Sequence, residues 1–91
     1  MKKGVRIIIK GMVQGVGFRY YVHHSARRHY LKGWVKNLPD GRVETVAEGD
    51  EEELREFVKE VKKGSRFSHV DEAQVEWLSY TNEFHNFQIT D

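Results

Sequence analysis

The stretch Gly11-Met12-Val13-Gln14-Gly15-Val16-Gly17-Phe18-Arg19 sets three glycines and an arginine between two segments of different periodicity. Before it, Val5, Ile7 and Ile9 alternate with Arg6, Ile8 and Lys10, the period of two of a strand with one buried face. After it, Phe18, Tyr21, Val22, Ser25, Ala26 and His29 recur at spacings of three and four, which predicts a helix over residues 19–30 with one buried stripe. A strand must therefore become a helix within a few residues. Glycines 15 and 17 can take positive φ at little steric cost, so successive N–H groups can point into one concavity beside a helix N-terminus. With the forked guanidinium of Arg19, that is an anion cradle. The same glycines could instead serve only to relieve strain in a turn, and the local pattern does not choose between the two.

The remaining segments set the architecture. Residues 34–37 run into Leu38-Pro39-Asp40-Gly41, a type I turn, and out through residues 42–47, so two antiparallel neighbours form a hairpin. On the outgoing strand Val43, Thr45 and Ala47 compete with Val46 for the inward face. Asp50 and Glu53 read as a capping box for a second helix, whose stripe is Leu54, Phe57, Val58 and Val61 and whose end is marked by Lys62, Lys63 and Gly64. Ala73, Val75 and Trp77 alternate as a fourth strand, and Phe87-Gln88-Ile89 is a short terminal one. Trp34, Trp77, Phe57 and Phe87 are expected in the core. The order β, α, β, β, α, β predicts an α+β fold, a ferredoxin-like sandwich in which two helices cover one face of an antiparallel sheet and a short C-terminal strand follows.

Composition narrows the chemistry. Ninety-one residues make one domain, expected to span 1–91. Fifteen basic and fourteen acidic side chains leave a formal charge of +1, so no single-sign field draws the chain to nucleic acid or membrane, and a small partner is expected. Cysteine is absent, which removes disulfides and thiolate catalysis and suits a reducing compartment. The apolar run behind the N-terminal lysines is too short for a signal peptide or a membrane span, so a cytoplasmic location is expected. No GK[ST] follows the glycines, and Tyr20 stands where a dinucleotide fingerprint needs its third glycine, which disfavours ATP and NAD.

Few residues are left to carry chemistry. Asn37 precedes the hairpin turn; its neutral amide could accept from a water while donating to an oxyanion, or could simply bond the turn's backbone. His23, His24 and His29 lie on the first helix without i, i+4 spacing, and His69 and His85 are isolated, so surface or packing roles are expected and no metal site. Tyr20 could border a ligand beside the loop, whereas packing is expected of Tyr21.

Gly11-x-Val13-Gln14-Gly15-Val16-Gly17-Phe18-Arg19, followed by Gly33-Trp34-Val35-x-Asn37-x-x-Asp40-Gly41-x-Val43-Glu44, closely resembles the two signature stretches of acylphosphatases. Length, element order and the terminal Phe-x-Ile agree as well. The resemblance implies hydrolysis of acyl phosphates to a carboxylate and inorganic phosphate, with neither metal nor organic cofactor. It further implies that Arg19 binds the phosphoryl group, that the main chain of Gln14, Gly15, Val16, Gly17 and Phe18 holds the phosphate, and that Asn37 orients the attacking water. The expected partners are a small acyl phosphate and inorganic phosphate, with no nucleic acid, no membrane and a monomeric protein. One departure is visible in Gly64-Ser65-Arg66-Phe67, where many relatives place prolines. Three rivals stand beside this reading. A non-catalytic domain could bind small phosphorylated ligands through the same loop. An RNA-binding module shares the element order, but residues 42–48 here lack the aromatic side chains it needs. The fold also occurs as one module of larger maturation enzymes.

Overall fold

The computed structural model describes residues 1–90. Its elements are β1 (Lys2–Met12), α1 (Phe18–Arg28), β2 (Lys32–Asn37), β3 (Val43–Asp50), α2 (Glu51–Lys63), β4 (His69–Leu78) and β5 (Phe87–Thr90). The strands form one sheet in the order β4-β1-β3-β2-β5. β1 pairs antiparallel with β3 and β4, and β2 antiparallel with β3, as the ferredoxin-like reading requires. The antiparallel sheet expected of the four long strands is present, and the short C-terminal strand β5 joins β2 in parallel, making the five-stranded sheet mixed. A strand that returns from β4 at the opposite edge, across residues 79–86, can enter beside β2 in that direction without a tight turn.

Alternation on β1 works as expected, with Val5, Ile7 and Ile9 fully buried and Arg6 and Lys10 exposed. The ambiguity of β3 resolves inward through Val43, Thr45 and Ala47. Its other face is also covered: Glu44 pairs with Arg6 and Lys36, and Glu48 accepts hydrogen bonds from the Thr81 N–H and hydroxyl and the Asn82 N–H. Phe18, Val22 and Ala26 of α1 and Leu54, Phe57, Val58 and Val61 of α2 complete one core with the inward strand residues. α1 lies over β2 and β5, and α2 over β1, β3 and β4.

Four local expectations change, the first being that Trp34 packs in the core: Val35 takes the inward position, and Trp34 is half-buried with the Lys36 ammonium 5.2 Å from its ring centroid. The first helix ends at Arg28 because Tyr30 takes φ 60°, a left-handed turn in which the Leu31 N–H reaches back to the Ala26 carbonyl. Asp50 does precede α2, yet its side chain makes no capping bond; the Met1 carbonyl accepts the Glu51 N–H instead, and Glu53 is drawn to His29. Trp77 is 41 % exposed rather than buried, since β4 is an edge strand, and the Arg55 guanidinium lies over its ring at 5.1 Å.

Candidate active site

Strands β1, β2 and β5 run the same way, so their C-terminal ends, at Met12, Asn37 and Thr90, share one end of the sheet. The glycine loop leaves β1 there. Val13 and Phe18, each 1 % exposed, peg its two ends into the core. Between them Gly15 (φ 74°) and Gly17 (φ 77°) are exposed and left-handed. A Cβ on either would meet nothing within 4 Å, so glycine is needed here for its backbone angle and not for space. Gly17 caps α1 with no side-chain bond, and the first intrahelical bond is Tyr21 N–H to the Gly17 carbonyl at 3.1 Å. The preceding N–H groups of that turn have no acceptor within the helix, and the positive end of the helix dipole lies with them.

Two long-range contacts join this loop to the end of β2. Gln14 Nε2 donates to the Leu38 carbonyl at 2.8 Å and to the Arg42 carbonyl at 2.9 Å, tying the loop to the hairpin turn. Arg19, half-buried in the first turn of α1, donates from Nη1 to the Thr90 carbonyl at 3.4 Å. Thr90 pairs with Lys36, the residue before Asn37, so the guanidinium is held beside the strand end that carries the amide. Asn37 Oδ1 is buried and has no hydrogen-bond partner among the described residues. The turn-bonding role open to Asn37 is filled by others: Leu38 N–H donates to the Arg42 carbonyl at 2.7 Å and Gly41 N–H to the Leu38 carbonyl at 3.2 Å. A buried amide oxygen without a donor is costly unless a water or ligand supplies one.

The neighbouring titratable groups are engaged elsewhere. The main-chain N–H of Arg42 and then its guanidinium hold the Asp40 carboxylate below its usual range, which makes it a poorer proton acceptor. Tyr20, in the first turn of α1, is 69 % exposed, while the Tyr21 hydroxyl donates to the Glu60 carbonyl at 2.7 Å. Of the histidines, His23 packs near Phe87, His69 faces Asp71 at 3.1 Å, and His24 and His85 are exposed. His29 lies between two carboxylates of α2, Glu53 at 2.7 Å and Glu60 at 3.0 Å. No group of three His, Asp or Glu side chains among the described residues is arranged to hold a metal ion. The Gln14 and Arg19 side-chain contacts were not readable from sequence, because their partners lie 24, 28 and 71 residues away.

Known proteins share this fold and much of this sequence. The acylphosphatase family profile matches residues 5–89. An acylphosphatase of Bacillus licheniformis is 51 % identical over 85 residues, covering 93 % of this chain and 94 % of that protein. One from Caldanaerobacter subterraneus is 45 % identical over 89 residues, covering 98 % and 99 %. The crystal structure of acylphosphatase from Bacillus subtilis matches with a TM-score of 0.94 at 48 % identity, over the whole of both chains. Full-length HypF in its phosphate- and nucleotide-bound form matches all of this chain with 12 % of its own, at TM-score 0.87 and 32 % identity. With a profile match over nearly its whole length and relatives that match it end to end, this chain belongs to the acylphosphatase family of hydrolases.

Proposed function

We propose that the chain hydrolyses the carboxyl-phosphate anhydride of small acyl phosphates, with the phosphoryl group held by the 14–18 main chain and Arg19 and the water by Asn37. The observation that carries this reading is the buried, unpartnered Asn37 Oδ1, at the strand end to which Gln14 and Arg19 both lead. The N–H groups around Gly15 and Gly17, together with the guanidinium, would offer donors and positive charge to the nonbridging phosphoryl oxygens. Water hydrogen-bonded to Asn37 Oδ1 would attack phosphorus in line. The P–O bond to the acyl oxygen breaks, the carboxylate leaves with the bond's electrons, and the water's proton must be taken up.

The leaving carboxylate is a weak base and needs little protonation, so most of the barrier is met by positioning and charge stabilisation. With Asp40 committed to Arg42, we assign the water's proton to the phosphoryl oxygens themselves. A pH profile requiring an ionised protein carboxylate or a neutral histidine would overturn that assignment. We also read the protein as cytoplasmic, because a cysteine-free chain suits a reducing compartment.

The test is turnover of acetyl phosphate in the presence of EDTA, together with product inhibition by inorganic phosphate. Arg19→Ala should abolish both turnover and phosphate inhibition. Asn37→Ala should lower kcat by about a hundredfold or more while phosphate still inhibits. Phosphate binding without turnover in the parent protein would favour the non-catalytic alternative, and near-parental turnover in either variant would refute that residue's role.

A further inference from the structure

We propose that Gln14 is the positioning residue that sets where Asn37 holds its water, a role that rests on the water-holding reading above. Its side-chain nitrogen lies within hydrogen-bond distance of two carbonyl oxygens, Leu38 at 2.8 Å and Arg42 at 2.9 Å. Two acceptors fix which end of the amide faces them, since only the NH₂ group can donate to both. Each carbonyl already accepts one main-chain N–H, from Gly41 and Leu38 respectively, so Gln14 fills the second acceptor site on both. One amide thus clamps the entry and exit of the turn that begins one residue after Asn37.

The clamp sits between the two halves of the proposed site. Val13, the residue before Gln14, is pegged in the core, and Asn37 pairs with Val43 just past the Arg42 carbonyl. The spacing from cradle to amide is therefore set by two hydrogen bonds between segments 24 and 28 residues apart. Asn37 Oδ1 has no partner among the described residues to aim it, so its placement follows that of its backbone. With both hydrogens of its amide committed, Gln14 contributes to the cradle through its main-chain N–H only. The side chain acts on the water through Asn37.

Gln14→Met keeps the length of the side chain and removes both donors. Gln14→Asn keeps an amide that can remake one bond. Gln14→Met should lower kcat for acetyl phosphate about tenfold or more, with phosphate inhibition changed less than about threefold, and Gln14→Asn should fall between it and the parent. Thermal melts establish that each variant is folded before its kinetics are compared. In the Asn37→Ala background, Gln14→Met should change kcat less than about twofold, because the residue it positions is gone. Effects that multiply in the double variant, or a loss of phosphate inhibition matching the loss of kcat, would overturn this proposal alone. Full turnover by Asn37→Ala would overturn the water-holding reading, and this role with it.

Discussion

His29→Gln should make the protein's stability less dependent on pH, in a direction that the α1–α2 contact fixes. The His29 side chain is 14 % exposed, with Nδ1 2.7 Å from Glu53 Oε1 and Nε2 3.0 Å from Glu60 Oε2. Both nitrogens can donate only in the imidazolium form. Burial lowers its pKa, but the bonds to Glu60 and Glu53 outweigh burial and raise it above the usual 6.5. On Glu60, burial raises the pKa, but donation from Ser25, His29 and Arg28 outweighs it and holds the carboxyl down at about 2. The folded state therefore keeps the His29 proton where the unfolded chain releases it. Stability from the clamp is complete below about pH 6.5 and is lost as pH rises through the higher folded value. At the acid end the Glu60 contribution is present above about 4.5 and is lost as pH falls toward 2.

Charge-assisted bonds are worth about 1.5–3 kcal/mol when protected, but Glu53 and Glu60 are 42 % and 28 % exposed, so solvent screening reduces the pair to about 1.5 kcal/mol. For a domain of this size that is roughly 6–12 °C in Tm. Melts of parent and His29→Gln should differ by this amount near pH 5.5 and converge toward pH 9, and the imidazole proton resonance of His29 should titrate above the usual 6.5. A gap that stays constant from pH 6 to 9, or a His29 titration at or below the usual value, would refute the clamp.

Three substitutions separate backbone angle, space and hydrogen bonding. Gly17→Ala should cost about 1–2 kcal/mol, since its Cβ meets nothing within 4 Å and only the left-handed backbone resists it. Gly33→Ala should fail to fold, because a Cβ there would sit 1.9 Å from the Val46 carbonyl oxygen; cooperative melting of that variant would contradict the register. Ser65→Ala should be neutral or stabilise by up to about 1 kcal/mol, as measured by denaturant melts, because Ser65 Oγ is buried without a partner among the described residues while its main-chain N–H keeps the 2.7 Å bond to Ser68 Oγ.

Sequence periodicity reads how a residue faces its own element, and it succeeded where burial follows from that facing. Val5, Ile7 and Ile9, the stripe of α2, and the order of the six main elements were all readable in this way. It failed where burial depends on what lies opposite. Trp77 alternates like a core residue, yet its strand is at an edge; Glu53 has cap spacing, yet its partner is the histidine that caps the end of the other helix. The parallel entry of β5 left no mark in the chain, since a parallel neighbour is chosen by topology and not by a turn.

The local sequence by itself determined that a strand turns into a helix through glycines able to take positive φ, with an arginine in the helix's first turn and an asparagine at the end of a hairpin strand. Only the tertiary structure decided that these lie together. Gln14 finds the hairpin carbonyls and Arg19 the Thr90 carbonyl across as many as 71 residues, and Asn37 Oδ1 is left buried without a donor. Hydrogen bonds of that span follow from sheet order and register, which no window of neighbouring residues encodes.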